Sequence, residues 1–477
     1  MAGRVRSGFE GLDGVLEGGF PRGSLILLAG EPGTGKTVFS MGFLVRGAEL
    51  GEPGVYAGFA EPRDTLIENL PRHLGVDLAG LEAEGKLKIL DFTALREEGL
   101  STLLESILGE VEALKAERLV VDSFPALAQA YKEPVEVRIV LNTVLGRIVR
   151  GLDCTTIMVE EVPLGESRIG LGMEEFVADG VLRLRVGELD GRLFRDLEIF
   201  KLRGTRLSER KLAYTLEKGF KVFPPFKPKP IEKPRRFQPI PDPPGRYSTG
   251  SEDFDEMLGG GIPRGGSMLL EVDENVSTLE YHLFLGPMAP QFAFRGGGVI
   301  VVPSSGVDAK VLRKVGEAYG ASKDDFNRFI RIIEARGLMP VDELPYVIAL
   351  EGRDWREDLG KLVKAAGELS AETGKPNLLI FGVDTLITLY GERNCEKILN
   401  LSATIARKAE ALIVAIVKAG YRDLAVKLSP IADIYVRLVR EHGCPLVYGV
   451  KPRTGLYAVE MDDASKGYPT PRLTPIV

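Results

Sequence analysis

The eight residues Gly30–Thr37, GEPGTGKT, decide the fold of the first half of this chain. They satisfy the pattern G-x-x-x-x-G-K-[ST] and lie between an apolar, strand-like run, SLILLAG, and a helical stretch, the context that makes this pattern a P-loop. Backbone N–H groups of such a loop wrap phosphate oxygens, and the positive end of the following helix strengthens the attraction. We therefore predict a nucleoside triphosphate site in which Lys36 reaches the β- and γ-phosphates and the hydroxyl of Thr37 binds Mg²⁺.

A carboxylate that would share the metal follows a second apolar run. The segment Arg118–Asp122, RLVVD, reads as a buried strand that delivers Asp122 to the carboxyl edge of a sheet, beside the P-loop. The predicted metal ligands are therefore Thr37 and Asp122, and the predicted cofactors are ATP and Mg²⁺. The residues predicted to contact the nucleotide through the loop are Gly30, Glu31, Pro32, Gly33, Thr34, Gly35, Lys36, Thr37 and Val38.

An internal repeat reveals the organisation of the whole chain. The segment Ser7–Gly23, SGFEGLDGVLEGGFPRG, aligns without a gap with Thr249–Gly265, TGSEDFDEMLGGGIPRG, at a constant offset (263 − 21 = 242). Such agreement in register indicates a tandem duplication. In each half, short β-branched runs alternate with helical patterns, which is typical of βαβ units. We therefore predict two α/β domains of one fold, each with a mostly parallel, doubly wound sheet.

The two copies are separated by a segment rich in proline and basic residues. Residues 224–246, PPFKPKPIEKPRRFQPIPDPPGR, can form neither a helix nor a central strand. We interpret them as a stiff linker, with anion binding as the alternative. The predicted domains are residues 1–223, which carry the P-loop, and residues 247–477.

The composition limits the class of protein. With 477 residues, 44% of them hydrophobic, the chain can bury two large cores, and no apolar run approaches the length of a membrane span. A net charge of −7 argues against general binding of nucleic acid. Three scattered cysteines predict neither disulfides nor a zinc site. We expect a cytoplasmic protein without membrane attachment, and the abundance of Glu, Lys and Arg suggests a thermophilic source.

Several segments of the first half resemble those of a known protein family. The lead-in GFEGLDGVLEGGFPRGS, the loop GEPGTGKT, the strand VVDS, and the segments EEFVADGVLRL and FKLRGT resemble the KaiC-like branch of RecA-type ATPases over residues 3–223. The resemblance implies ring hexamers with ATP between subunits. It also implies that Lys201 and Arg203 reach the phosphates of a neighbouring subunit, and that Thr205 lies near the nucleotide. A Lys-x-Arg pair on a strand places both cations on one face, which suits a polyanion.

The chain departs from the family pattern where water would be activated. The family usually has two adjacent glutamates after the second strand, whereas this chain has Ala60 followed by Glu61. Because general-base assistance is worth about 10²–10⁴-fold in rate, we expect a slow ATPase, with Glu61 as the first catalytic candidate. Glu160 and Glu161, which end a predicted strand, are alternatives.

The second half lacks the nucleotide-binding residues. The offset of 242 places Val272 at the first glycine of the loop, Ser277 at its last glycine and Thr278 at its lysine. Asp273 and Glu274 add negative charge where phosphate would lie, so we predict no P-loop binding here. The segment GVDT, with its aspartate at position 384, and the cations Lys451 and Arg453 are retained. These retained residues are either a remnant of the duplicated fold or contact sites. As contact sites they would meet a partner protein, a neighbouring subunit or the Asp273–Glu274 region.

The expected function follows from one intact and one lost site. We expect an ATP-binding, slowly hydrolysing homo-oligomer, a hexameric ring first of all, that acts as a switch or scaffold for an unknown regulatory protein. The alternatives are a DNA-binding ATPase resembling RecA and RadA, and an autokinase of the KaiC type. The acidic composition disfavours the first, and the loss of the second site disfavours the other.

Overall fold

The computed structural model describes residues 3–93, 100–125, 146–165, 177–229, 231, 234–335, 344–462 and 466–477. The chain divides into two compact units. The first comprises Met1–Pro225 with His442–Cys444 and Pro475–Val477, and the second comprises Phe226–Glu441 with Pro445–Thr474. Among the helices of these described ranges, none combines the length and apolar character needed to cross a membrane.

The first unit is built around a sheet whose strands lie in the order β11-β10-β9-β8-β3-β7-β6-β4-β5. Its elements in chain order are β1 (Arg4–Val5), α1 (Glu10–Val15), β2 (Phe20–Pro21), β3 (Leu25–Gly30), α2 (Lys36–Leu50), β4 (Gly54–Gly58), α3 (Arg63–Leu74), α4 (Leu78–Ala83), β5 (Leu87–Asp91), α5 (Leu100–Leu114), β6 (Arg118–Asp122), a π-helical turn (Arg147–Gly151), β7 (Thr155–Glu161), β8 (Gly180–Leu189), β9 (Arg192–Leu202), β10 (Lys211–Thr215) and β11 (Lys221–Phe223).

The centre of this sheet is parallel, as the apolar runs predict. Strands β5, β4, β6, β7, β3 and β8 run parallel, and β9, β10 and β11 extend the sheet with antiparallel pairs. Every residue of β3 is buried, which is the pattern of a strand covered on both faces. Helix α2 ends at Gly51, whose φ of 79° closes the helix in the left-handed conformation. A core of α2 with α1, packed on β3 and β4, holds the P-loop between strand and helix.

The second unit repeats this arrangement around a sheet with the order β17-β16-β15-β18-β19-β14-β20-β21-β22-β23. Its elements are β12 (Arg246–Tyr247), α6 (Glu252–Met257), β13 (Ile262–Pro263), β14 (Ser267–Val272), α7 (Thr278–Ala293), β15 (Val299–Val302), α8 (Ala309–Ala318), α9 (Lys323–Phe329), β16 (Ile330–Ala335), β17 (Val347–Leu350), α10 (Trp355–Thr373), β18 (Leu378–Gly382), α11 (Val383–Tyr390), α12 (Glu392–Lys408), β19 (Leu412–Lys418), a 3₁₀ turn (Ala419–Tyr421), α13 (Arg422–Leu428), a 3₁₀ turn (Ser429–Ile431), β20 (Ile434–Glu441), β21 (Cys444–Lys451), β22 (Tyr457–Asp462) and β23 (Thr470–Pro475).

The duplication predicted from the sequence is visible in the element boundaries. Strands β3 and β14 begin at Leu25 and Ser267, which are 242 residues apart (267 − 25 = 242). Helices α2 and α7 begin at Lys36 and Thr278, at the same offset (278 − 36 = 242). The predicted fold, two tandem RecA-like α/β domains with mostly parallel sheets, is confirmed. The alternation of strand and helix patterns in the sequence also predicts a helix near Ile139, which lies outside the described residues.

The proline-rich segment is packed on the second unit over its later part. Phe237 is buried with its ring centroid 4.9 Å from that of Tyr468, within the second unit. The guanidinium of Arg236 pairs with Asp325 at 2.8 Å. Where the structure describes it, the segment before β12 forms no helix or strand. The unit boundary falls between Pro225 and Phe226, so this segment is part of the second unit from Phe226 onward.

Candidate functional site

The P-loop follows a path that depends on glycine. Gly33 and Gly35 have φ angles of 77° and 89°, in the left-handed region that other residues seldom adopt. A Cβ atom on Gly30 would lie 2.7 Å from Oγ1 of Thr34. Gly35 is the N-cap of α2 and offers no side chain to the first turn of the helix. The N–H groups of that turn therefore remain available to an anion.

Two side chains from the far strands of the sheet hold this loop in place. The hydroxyl of Tyr214 on β10 donates a hydrogen bond to the carbonyl oxygen of Thr34 at 2.7 Å. The guanidinium of Arg195 on β9 donates to the carbonyl oxygen of Gly33 at 3.0 Å. Both residues were missed from the sequence, because nothing local links them to a loop about 160 to 180 positions earlier. Both bonds restrain the main chain of the loop.

Lys36 points back along its own loop. Its amine donates to the carbonyl oxygens of Gly30 at 2.9 Å and Glu31 at 3.0 Å. Burial lowers the pKa of this amine from its usual value, and the nearby carboxylate of Glu161 is the largest influence in the opposite direction. The charged amine is thus partly desolvated and held by neutral acceptors, which favours exchange of these bonds for phosphate oxygens.

The two predicted metal ligands come together. Oγ1 of Thr37 donates to Oδ2 of Asp122 at 3.1 Å, and the hydroxyl of Tyr56 on β4 donates to the same oxygen at 2.7 Å. Burial raises the pKa of Asp122, while the hydrogen bonds from Tyr56 and Thr37 oppose that rise. Because Tyr56 lies at the centre of a strand, its role as an orienting residue was not apparent from the sequence.

This geometry fits Mg²⁺. Adjacent ligands of an octahedral Mg²⁺ ion lie about 2.9 Å apart when each metal–oxygen distance is about 2.0–2.1 Å, close to the separation of the Thr37 and Asp122 oxygens. No group of three or more His, Cys, Asp or Glu side chains that could hold a metal occurs among the residues that the structure describes. A site completed by phosphate oxygens and water, as Mg²⁺ prefers, is consistent with this.

The three carboxylates considered as catalytic candidates lie at the same edge of the sheet. Glu61 is exposed and follows β4, whose last residue, Gly58, is in register with Asp122. Glu160 is 3% exposed. Glu161 is exposed at the end of β7 and is in register with Gly30, the first residue of the P-loop. Glu61 and Glu161 are therefore the more accessible to a ligand on the loop.

Lys201, Arg203 and Thr205 lie at the opposite edge. Lys201 is in register with Val181 on β8, and the main chain of Arg203 bonds to Asp179, beside the beginning of β3. Arg203 also pairs with the carboxylate of Asp179 at 3.3 Å. The length of β3, about 17 Å at about 3.3 Å per residue, separates this edge from the P-loop. Thr205 accepts a hydrogen bond from Arg4 at 2.6 Å, at the same edge. None of the three reaches the P-loop of its own chain.

In the second unit, the N-terminus of α7, the helix that follows the lost loop, is capped by side chains of its own first turn. Ser277, the N-cap of α7, accepts a hydrogen bond from the backbone of Glu280, and the carboxylate of Glu280 accepts from the backbone of Ser277 at 2.6 Å. This capping box satisfies the backbone N–H groups of Ser277 and Glu280, whose counterparts Gly35 and Val38 stand at the beginning of α2. The pattern S-x-x-E is visible in the sequence, so this signal was available there.

Ion pairs occupy the rest of the lost site. Glu271, which is 2% exposed, lies 2.9 Å from Nε of Arg422 and 3.1 Å from Nε of Arg437. The second guanidinium nitrogen of Arg422 pairs with Asp273 at 2.9 Å. Asp273 is therefore satisfied within its own unit. Lys451 donates to the carbonyl oxygen of Ala432.

A lysine at the end of β19 pairs with the retained aspartate, Asp384. Lys418 ends β19 in register with Val272, as Glu161 ends β7 in register with Gly30. Its amine lies 2.9 Å from Oδ2 of Asp384, an aspartate in the first turn of α11. Lys418 therefore neutralises the charge of Asp384 in a unit that has lost the lysine of the P-loop.

The parallel sheet, the glycine-dependent loop, the buried lysine and the Thr37–Asp122 pair define the first unit as a P-loop NTPase fold of the RecA type. Comparisons with known proteins narrow this class. The family model described as "ATPase: KaiC" matches residues 5–226.

Relatives of known sequence each match about half of the chain. A UPF0273 protein of Pyrococcus horikoshii is 34% identical over 239 residues, which are 47% of this chain and 95% of the relative. A UPF0273 protein of Thermotoga maritima shows the same identity and covers 47% of this chain and 97% of the relative. The circadian clock oscillator protein KaiC of Synechococcus elongatus is 36% identical over 270 residues, 54% of this chain and 50% of that protein.

Among solved structures, a KaiC-like protein from Pyrococcus horikoshii is 38% identical and covers 47% of this chain and 100% of its own, with a TM-score of 0.43. The family is shown by the sequence relatives, which this chain covers almost completely. The chain belongs to the KaiC-like ATPase family.

Proposed function

We propose that the first unit binds ATP with Mg²⁺ and hydrolyses it slowly, and that the bound nucleotide controls the assembly of several copies of the chain. The carrying observation is the 3.1 Å contact between Thr37 and Asp122 beside Lys36, the arrangement that a magnesium-bound triphosphate requires. The second unit, whose loop is closed, supplies a surface for a regulatory protein partner.

The residues of the first unit have distinct roles in this proposal. Lys36 exchanges its carbonyl acceptors for β- and γ-phosphate oxygens, and Tyr214 and Arg195 keep the loop in its binding shape. Thr37 and Asp122 would hold Mg²⁺, which neutralises developing phosphate charge. Because these groups are positioned beforehand, little reorganisation is needed when the nucleotide binds.

Slow hydrolysis follows from the position of the available carboxylates. Ala60 cannot accept a proton, and Glu61 is the next carboxylate along the chain. Glu161 ends the strand next to β3 and is in register with Gly30, the first residue of the loop. A water molecule oriented by either one would gain part of the usual general-base assistance.

The edge that carries Lys201 and Arg203 supports assembly. Both residues are about one strand length from the P-loop of their own chain, so they can serve a phosphate only in a neighbouring copy. A head-to-tail arrangement of copies places this edge against the next P-loop and closes into a ring if the rotation allows, and a hexameric ring is our first choice. ATP bound at such an interface stabilises the assembly by linkage.

The alternatives have less support. An autokinase needs a nucleotide in the second unit, where Ser277 and Glu280 already satisfy the helix terminus. A DNA-binding ATPase is disfavoured by the net charge of −7.

The proposal is tested by measuring particle mass in solution with and without Mg-ATP. We expect the wild type to shift to a multiple of the chain mass when Mg-ATP is added. The mass of Lys36→Ala should stay the same when Mg-ATP is added, because alanine cannot bind the phosphates. Arg203→Ala should bind ATP and fail to assemble, whereas Arg206→Ala, an exposed arginine three residues later, should behave as the wild type. A wild type of unchanged mass under all conditions would contradict the assembly part of the proposal.

A further inference from the structure

The second unit contains an apolar cavity beneath the helix that replaced the P-loop helix. About 80 Å³ of this cavity is accessible to a water-sized molecule, and the cavity opens to solvent, so a small ligand can extend through its mouth. Helix α7, strands β15, β16, β18 and β19, and helices α8 and α9 form its walls. The apolar side chains that line it include Leu285, Val301, Phe326, Ile332, Ile380 and Ile416.

The cavity lies where α/β folds usually hold ligands. Pro303 and Ser304, which directly follow β15, form part of its wall at the carboxyl edge of the sheet. In open parallel sheets ligands bind outside this edge. The corresponding edge of the first unit carries the P-loop and Asp122.

One end of the cavity is polar. Ser304 is 4% exposed and lines the cavity, and its Oγ has no hydrogen-bond partner. A buried hydroxyl without a partner costs free energy, which a ligand with a matching polar group would recover. Ser304 packs against the end of β18, where a Cβ atom on Gly382 would lie 2.5 Å from the Ser304 nitrogen.

The neighbouring charges are already paired. Asp384 places Oδ2 against Lys418 at 2.9 Å and the backbone nitrogen of Ser305 at 3.0 Å. Its other oxygen, Oδ1, is buried and has no hydrogen-bond partner, but Asp384 does not line the cavity. His282 lines the cavity, and burial together with the charge of Lys418 lowers its pKa to about 4. The imidazole is therefore neutral at pH 7 and adds no charge.

We propose that the second unit binds a small, uncharged, largely apolar molecule with one hydroxyl group. Its apolar body occupies the cavity against Leu285 and Ile380, and its hydroxyl group hydrogen-bonds to Ser304. A charged ligand is disfavoured because the charged groups at this end already neutralise each other. This site is independent of the nucleotide site in the first unit.

The test uses calorimetric titration of the full chain with three hydroxyl-bearing probes, 4-methylphenol, benzyl alcohol and 1-hexanol. Each aromatic alcohol is compared with its methyl ether, 4-methylanisole or benzyl methyl ether, which cannot donate a hydrogen bond. We expect saturable binding of at least one alcohol and roughly tenfold weaker binding of its comparator, the effect of losing one buried hydrogen bond. No saturable binding of any alcohol would overturn the proposal.

Three variants locate the binding. Ala289→Phe fills the cavity and should abolish binding of the alcohol. Ser304→Ala keeps the cavity and should lower the affinity for the alcohol roughly tenfold. The affinity for the methyl ether should stay the same. Ala366→Phe is the matched control, since Ala366 is also half-buried but lines a different groove between α10 and α12. It should bind as the wild type.

The contrary results are equally specific. Binding that survives Ala289→Phe in a folded protein, or that Ala366→Phe removes, would place the probe elsewhere and overturn the proposal. If Ser304→Ala binds the alcohol as tightly as the wild type, Ser304 is not the partner of the ligand's hydroxyl group, and that assignment is overturned. Thermal melting confirms that each variant folds. ATP binding, measured on the same samples, should remain unchanged, so failure here would leave the proposed function of the first unit intact.

Discussion

The hydroxyl of Thr37 donates to Oδ2 of Asp122 at 3.1 Å across 85 positions of sequence. One residue begins a helix and the other ends a strand, and the parallel sheet brings both to one edge. Asp122→Asn keeps the shape of this pair and removes its charge. We expect the affinity for Mg-ATP to fall at least tenfold, while the affinity for ATP in excess chelator stays within about threefold, because the lost interaction is with the metal.

Titration calorimetry with and without Mg²⁺ measures this difference. Asp91→Asn, which changes an exposed aspartate at the end of β5, a strand separated from β6 by β4, serves as the control and should bind Mg-ATP normally. Equal losses with and without Mg²⁺ would contradict the assignment of Asp122 as a metal ligand.

The same aspartate predicts a dependence of stability on pH. Burial raises the pKa of Asp122 above its ordinary value of 3.8, so the folded chain holds this proton more tightly than the unfolded chain. Ionisation of Asp122 therefore costs stability, fully so above the raised pKa and not at all below 3.8. Without ligands, Asp122→Asn should be more stable than the wild type at pH 7.

Urea unfolding of the first unit at several pH values measures the stability of Asp122→Asn and of the wild type. The difference between the two should disappear as the pH falls below about 4. Asp91 gives the opposite sign, because hydrogen bonds from Thr93 and the backbone of Arg63 lower its pKa. Its contribution is present above the ordinary value of 3.8 and is lost as the pH falls, so Asp91→Asn should be less stable at pH 7. A destabilised Asp122→Asn at pH 7 would show that burial is not the dominant influence.

Tyr214 provides a prediction about the shape of the loop. Tyr214→Phe leaves the carbonyl oxygen of Thr34 without its 2.7 Å partner, which should cost about 1–2 kcal/mol of stability and raise the KM for ATP several-fold. Tyr247→Phe is matched in chemistry and distance, since the hydroxyl of Tyr247 donates to the carbonyl oxygen of Glu410 at 2.7 Å in the second unit.

Unfolding and steady-state kinetics separate the two roles. Both variants should lose stability, but only Tyr214→Phe should change the KM. If Tyr247→Phe raises the KM by the same factor, the effect reflects general destabilisation and the anchoring role of Tyr214 is wrong.

Ala60 accounts for the slow turnover that we propose. Ala60→Glu restores a carboxylate beside the metal-bearing edge of the sheet, and we expect kcat for ATP hydrolysis to rise about tenfold or more. Ala60→Gln has nearly the same size without a basic oxygen, so it should leave kcat unchanged. Phosphate release at saturating Mg-ATP measures both. A comparable rise in both variants, or in neither, would contradict the explanation.

Much of this architecture follows from local sequence signals. The glycines of the P-loop, the apolar run before Asp122 and the 242-residue repeat are local or periodic, so they predict the fold and the edge where Thr37 and Asp122 meet. The anchoring by Tyr214 and Arg195 was not predictable, because it depends on antiparallel strands that return to the loop from far along the chain. The placement of Lys418 beside Asp384 requires the register of β18 and β19.

The second unit shows why a lost motif says little about what replaced it. Its sequence predicted repulsion of phosphate by Asp273 and Glu274. The structure adds a capping box between Ser277 and Glu280, and it pairs Asp273 with Arg422. Local charge was readable from the sequence, but the partners of that charge depend on contacts between distant elements.

The central claim, that nucleotide binds only to the first unit, is tested most directly by counting bound nucleotide per chain at equilibrium with saturating Mg-ATP. The account predicts one nucleotide per wild-type chain and none for Lys36→Ala. Two nucleotides per wild-type chain, or one retained by Lys36→Ala, would contradict it.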